Sequence, residues 1–403
     1  MSLDALRDDA HALAPDLVAL RRRLHQHPEV GLHLPKTQQI VLDALDGLDL
    51  EITQGTSTTS VTAVLRGKPG GPTVLLRGDM DALPLAEQTA LDYSSQEPNA
   101  MHACGHDLHT AMLVGAAQLL VAHRDALQGD VVFMFQPGEE GFDGAGHMIA
   151  EGVLDASGQR ATSAYGMHVM AGIAAGTFTT RPGTFMAASA ALTVTVYGAG
   201  GHGSAPHLAK DPITVAAQIL IALQTMITRR FDIFDPVVVT PGKFQAGTAR
   251  TIIPDTATFE ATVRTFSADA QDRVEPELMR VCRHIGAAYD VKVEATFRRE
   301  YPPTINHDQH ATFVASVVES TFGDERFTLM PSPQPGAEDF SRVIAEVPGS
   351  YLMLGARISD EASVPDNHSP RVQFNESVLP DGALLHTQLA IQALHRDALG
   401  DHS

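Results

Sequence analysis

Five short runs constrain this 403-residue chain more than anything else in it. Residues 61–67 (VTAVLRG), 73–79 (TVLLRGD), 130–137 (DVVFMFQP), 161–169 (ATSAYGMHV) and 351–355 (YLMLG) are apolar at most positions rather than at every second one. A strand of that kind needs cover on both faces, the condition of a parallel sheet packed between helices. Helical patterns over 4–25, 107–123, 145–152, 309–322 and 379–398 supply the cover. The alternation predicts an α/β layer with a mostly parallel central sheet.

The style changes after about residue 186. ALTVTVYG (191–198) alternates apolar with polar residues, as a strand with one solvated face does. A helix over 211–229, alternating strands over 237–247 and 255–266, a helix over 268–289 and a strand over 291–297 follow. The order βαββαβ is that of a ferredoxin-like sandwich. The chain therefore reads as one α/β domain, residues 1–186 and 301–403, interrupted by an inserted domain over 187–300. An exposed edge strand on so small a sheet predicts a dimerisation surface.

Charge narrows the partners. A formal net charge of −20 excludes nucleic acid as a default partner and disfavours an anionic membrane surface. No stretch reads as long and apolar enough to span a bilayer. The start, MSLDALRDDAHALAPDL, has neither a basic leader nor an apolar signal core, so a cytoplasmic location is expected. Cys104 and Cys282 are the only cysteines, too few for a disulfide framework. Cys282 lies in a helical pattern and reads as a small buried apolar side chain.

Chemistry-bearing residues cluster where the apolar runs stop. Met101-His102-Ala103-Cys104-Gly105-His106-Asp107 places a thiol and an imidazole just before a helix start, where thiolates are favoured. Glu139 and Glu140 follow the strand 130–137, and neighbouring carboxylates can divide the work of holding a metal and serving as base. Asp79 and Asp81 follow the strand 73–79; Asp81 reads as orienting a ligand histidine and Asp79 as structural. His168 ends the strand 161–169, and His368 lies in the loop after 351–355. Each is weak alone, since a lone histidine is usually a hydrogen-bonded bystander. In an open α/β sheet, however, the carboxyl ends of the strands meet at one edge. Cys104, His106, Glu140, His168 and His368 exceed the three or so protein ligands of a single catalytic zinc, so two ions about 3.5–4 Å apart are expected.

The residues also resemble a known family, the amidohydrolase branch of the aminoacylase and carboxypeptidase-G superfamily, which includes hippurate hydrolases and indole-acetyl-amino-acid hydrolases. The resemblance runs through RRRLHQHPEVG (21–31), LLRGDMDALPL (75–85), MHACGHDLHT (101–110), FQPGEEG (135–141), GMHV (166–169), GAGGHGSAPH (198–207), GAEDF (336–340) and NHSP (367–370). It implies that Cys104 contacts both of two divalent ions (zinc, manganese, cobalt or nickel), with His106, Glu140, His168 and His368 completing the set. Glu139 is then the general base, Asp81 orients a ligand histidine, and His202 of the inserted domain reaches the site of a second subunit to stabilise an oxyanion. His207 is implied as structural and GAEDF as a lining of the cleft. The implied activity is removal of an acyl or aroyl group from an N-acyl amino acid by a homodimer or tetramer whose insert serves for dimerisation and as a lid. A small dipeptidase or aminopeptidase is the alternative.

Two positions depart from the family pattern. Thr251 stands where an asparagine is common, and Leu108 where many members have a small residue, which is expected to reshape the cleft. Arg250 and Arg264 are candidates to hold a substrate carboxylate, although each reads equally well as a solvated arginine. A thiol amidase using Cys104 would not depend on added divalent ion. A binding protein would have no use for Glu139.

Overall fold

In a computed structural model that describes residues 2–359 and 364–399, the chain forms two compact units. The first comprises the described residues within 1–185, 305–332 and 339–403, and the second residues 186–304 and 333–338. Strands from before and after the second unit share one sheet, so the first unit is built from both ends of the chain.

The first unit contains an eight-stranded sheet in the order Glu51–Gln54, Val61–Leu65, Asp130–Gln136, Thr73–Asp79, Ser163–Met170, Gly349–Gly355, Phe178–Thr180, Phe327–Leu329. The four strands from Asp130–Gln136 to Gly349–Gly355 are mutually parallel. Their residues are almost wholly buried, which is why they carry apolar side chains on both faces. The sheet is mixed towards its edges, where Val61–Leu65 runs antiparallel to Asp130–Gln136 and Phe178–Thr180 antiparallel to Gly349–Gly355. The helix His106–Ala122 is buried on nearly every side, and the long C-terminal helix Leu379–Ala398 packs against it.

One local expectation needs correction, and two elements add to the reading. The helix predicted over 4–25 is two helices, Leu3–Ala12 and Ala14–Gln26, because Pro15 can neither donate nor let the preceding turn continue. The helix Pro35–Leu45 and the edge strand Glu51–Gln54 were not foreseen.

The second unit has a four-stranded antiparallel sheet ordered Val238–Ala246, Thr256–Thr265, Ala188–Tyr197, Lys292–Tyr301. With helices Pro212–Arg230 and Ala268–Ala288 between strands, its chain order is βαββαβ. Leu192, Val194, Val196, Phe259 and Val263 bury one face under those helices, while the alternate residues of each strand are more exposed. Cys282 is buried in this core. Val238–Ala246 is an edge strand and is exposed along almost its whole length. Contrary to the sequence expectation, Pro212–Arg230 is long and apolar enough on length and composition to cross a bilayer. Its apolar residues Val215, Ile219, Leu223 and Met226 belong to the core of this unit.

Candidate active site

Parallel strands end together, and that edge of the first unit gathers the chemistry. Cys104 and His106 flank Gly105, which has φ 88°. A Cβ there would lie 2.3 Å from Val169 Cγ2, so glycine is required for the turn that aims both neighbours. His168 lies near the end of its strand. Its Nδ1 donates to the Val169 carbonyl at 2.8 Å, which leaves Nε2 as the lone-pair nitrogen, 3.2 Å from Cys104 Sγ. His368 arrives from the loop after Gly349–Gly355, with φ 68°. Its Nε2 is 3.2 Å from the same sulfur and 3.3 Å from Glu140 Oε1.

Two sets of donor atoms result, Cys104 with His106 and His168, and Cys104 with Glu140 and His368; within each set all atoms lie within 4.8 Å of one another. The sets share the sulfur. Glu139 joins His106 and Glu140 in a further set of the same span. Asp81 organises this corner. Its Oδ1 accepts from the Glu139 backbone N–H at 3.0 Å and its Oδ2 from that of Glu140 at 3.1 Å. Its Oδ1 is also 3.4 Å from His106 Nδ1. The carboxylate expected to orient a histidine therefore also fixes the backbone of both glutamates.

The donors fit a pair of divalent ions. Sulfur, imidazole and carboxylate are ligands of transition metals, and the buried His106 ring meets its nearest carboxylate oxygens, Asp81 Oδ1 and Asp79 Oδ2, only at 3.4 and 3.5 Å, without good hydrogen-bond geometry. The crowded carboxylates favour positive charge in the pocket, which protons supply until a bound ion displaces them. Burial pushes the Cys104 thiol well above its usual range, and the charges of Glu140, Glu139 and Asp79 push it further. Burial disfavours a charged His106, yet Asp79, Asp81 and Glu140 raise it to about 10. Burial, with His109, holds His168 well below its usual value, so its imidazole is neutral, as a ligand must be.

Several residues of this edge were not singled out in the sequence. His109, three residues after His106 on the same helical face, holds Asp79 Oδ1 through Nδ1 at 2.5 Å and accepts from the Val169 N–H at 2.8 Å. Its spacing from His106 was the available signal. Asp79 also pairs with the buried Arg77 at 2.5 Å and lies 3.5 Å from His106 Nε2. Arg21 and His25 both bind Asp107 at 2.8 Å, which anchors the start of the helix that follows Cys104. Asp339, in the segment expected to line the cleft, is fully buried and accepts from Arg77, Gln136 and the Ala145 N–H.

The remaining candidates lie elsewhere. Leu108, expected to reshape the cleft, is fully buried in the hydrophobic core of the first unit. His202 belongs to the second unit, exposed on a two-stranded ribbon of Gly201–His202 with Ile252–Ile253, and its Nδ1 accepts from the Ser204 N–H at 3.1 Å. His207, Arg250 and Thr251 are exposed in the same unit. Arg264 is half-buried and gives Nη1 to Ser189 Oγ at 2.7 Å and to the Val263 carbonyl at 3.2 Å.

Comparisons with known proteins identify the family. The model of peptidase family M20/M25/M40 matches residues 75–392. Thermostable carboxypeptidase 1 of Saccharolobus solfataricus is 35% identical over 394 residues, 97% of this chain and 98% of the relative. N-acetyl-L-cysteine deacetylase of Bacillus subtilis is 35% identical over 343 residues, 85% and 81% of the two chains. A solved structure described as a dinuclear metal-binding peptidase from the M20 family, the YXEP protein of Bacillus subtilis, superposes with a TM-score of 0.81 at 31% identity, covering 96% of this chain and 99% of that one. The chain belongs to peptidase family M20/M25/M40 and is a metal-dependent hydrolase of amide bonds.

Proposed function

We propose that the substrate is an N-acyl or N-aroyl amino acid and that the products are the free acid and the amino acid. The observation that carries the reading is one sulfur, Cys104 Sγ, common to two donor sets with the Glu139 carboxyl beside them. Cys104, His106 and His168 would hold one divalent ion, and Cys104, Glu140 and His368 the other. When bound, the ions lower the pKa of water and polarise the amide carbonyl.

The chain's own groups supply the rest. Glu139 is buried, with its backbone fixed on Asp81, so its carboxylate has a defined position. It takes a proton from the attacking water and returns it to the amide nitrogen, which would otherwise leave as a poor anion. Asp81 keeps the two glutamates in register so that one stays a ligand while the other stays a base. His202 donates to the oxyanion in the site of a second copy of the chain, joined through the inserted unit, whose exposed edge strand supports that role. The two free cysteines suit a reducing cytoplasm.

Carboxypeptidase-like cleavage of short peptides is a second reading, favoured by the similarity to a thermostable carboxypeptidase. Both substrates present an amide to an amino acid with a free carboxylate. One panel separates them: N-acetyl, N-benzoyl and N-indoleacetyl amino acids beside dipeptides, assayed after chelation and after adding back zinc, manganese, cobalt or nickel. Acyl amino acids are expected to turn over, with complete dependence on added ion. In the same assay Glu139→Ala is expected to lose on the order of 10³-fold in kcat while binding the same number of ions. Normal turnover by that variant would remove Glu139 from the role of base.

A further inference from the structure

His368 differs from the other donors of the site. Cys104, His106 and His168 are each under 10% exposed and Glu140 is 13% exposed, whereas the His368 side chain is 56% exposed. Packing therefore does not fix it. It also sits in the left-handed region at φ 68°, which a residue with a Cβ adopts only when its surroundings hold it there. The preceding side chain does the holding. Asn367 Oδ1 accepts from the Ala171 N–H at 3.0 Å. Its Nδ2 donates to the Val169 carbonyl at 3.0 Å and to the Cys104 carbonyl at 3.3 Å. A fourth bond, from the His368 N–H to the Ala103 carbonyl at 2.8 Å, closes the turn.

One amide thus ties together the three segments that carry Cys104, His168 and His368. A carboxamide suits the task, because one end accepts while the other donates twice. Aspartate in its place would face two carbonyl oxygens with a negative oxygen. Serine would reach neither side of the turn fully.

We infer that Asn367 is a positioning residue that sets the affinity of the second ion, the one held by Cys104, Glu140 and His368. The inference rests on the proposed ligand sets. It implies an asymmetry: His106 is buried at a helix start and His168 has its own backbone bond, so the first ion needs Asn367 far less. Substitutions of residues that orient metal ligands typically cost about 10–100-fold in metal affinity.

The test strips wild-type protein, Asn367→Asp and Asn367→Ser of metal and titrates each with Co²⁺. Bound ions are counted by equilibrium dialysis, and thiolate-to-cobalt absorbance is followed in parallel. Wild type is expected to take two ions. Each variant is expected to keep one ion at wild-type affinity and to bind the second at least about tenfold more weakly, with absorbance rising in two separated steps. Asn367→Ser introduces no charge and stands as the test if Asn367→Asp does not fold. Two ions at wild-type affinity in a folded variant, or equal weakening of both, would overturn the inference. If wild type itself bound no Co²⁺, the ligand sets would be wrong, a different failure.

Discussion

Cys104 shows how much a single residue can reveal and conceal. Its neighbours His102 and His106 marked it as chemical rather than structural, but nothing local said that one sulfur would face His168 and His368 at once. Those contacts join positions 64 and 264 residues away. His109 and Asn367 were less legible still, because a histidine on a helix and an asparagine in a loop usually bond water or turn backbone. The same blindness covers His386, which the sequence places anonymously in the last helix. The structure buries it, and burial, with the charge of His109 adding, holds its imidazole down to about 3. In the unfolded chain it titrates near 6.5. Between those values only the unfolded state takes the proton, so stability is fully present above about pH 6.5 and falls as pH drops towards 3. At pH 5 this one group costs about 2 kcal/mol. His386→Leu is therefore expected to lose less stability than wild type between pH 7.5 and 5, measured by denaturant unfolding; equal losses would show that the imidazole does not titrate between folded and unfolded states.

At the scale of elements, the strongest signals were the runs buried on both faces. Thr73–Asp79 and Asp130–Gln136 form as read, because an unbroken apolar run bounded by Gly, Pro or charge has few alternatives to a central strand. Weaker patterns misled. The first helix breaks near Pro15, and Glu51–Gln54 is an exposed edge strand with no buried face to give it a periodicity. The helix Ala268–Ala288 shows a local rule overridden, for it runs through Pro276. That residue has no N–H for the carbonyl of Asp272, and the helix persists because Val274, Leu278 and Cys282 are buried along its other side. Pro276 is exposed, so alanine creates neither a cavity nor a clash. Pro276→Ala is expected to stabilise the second unit by about 1–3 kcal/mol, read from denaturant unfolding; an unchanged or lower midpoint would mean that this turn is held in a form alanine does not prefer.

For the whole molecule, the proposed trans role of His202 makes a claim that no single chain can satisfy. His202→Ala and Glu139→Ala are each expected to be nearly inactive. Mixing the two after exchange of subunits should restore activity, because half of the sites in a mixed dimer pair an intact Glu139 with an intact His202. Failure of the mixture to recover, in protein shown by sedimentation to be dimeric and to exchange subunits, would confine His202 to its own chain or remove it from the reaction. The net charge of −20 bears on this scale too, since it repels phosphate and leaves substrate carboxylates to local cations. Arg264 is turned towards Ser189 and the Val263 carbonyl, so its guanidinium is already engaged within the second unit.

Sequence alone determined the kinds of layer and the kinds of chemistry. Burial on two faces or one is written in the spacing of apolar residues, and thiol, imidazole and carboxylate declare themselves by type. Tertiary structure alone decided which of nineteen histidines meet the sulfur, and that Asp81 grips two backbone amides while Asn367 joins three segments. The reason is physical. Periodicity reports a residue's relation to its own strand or helix, whereas a site is made by strand order and by loop conformations such as the left-handed turn at His368, and these are fixed by packing between residues far apart in the chain.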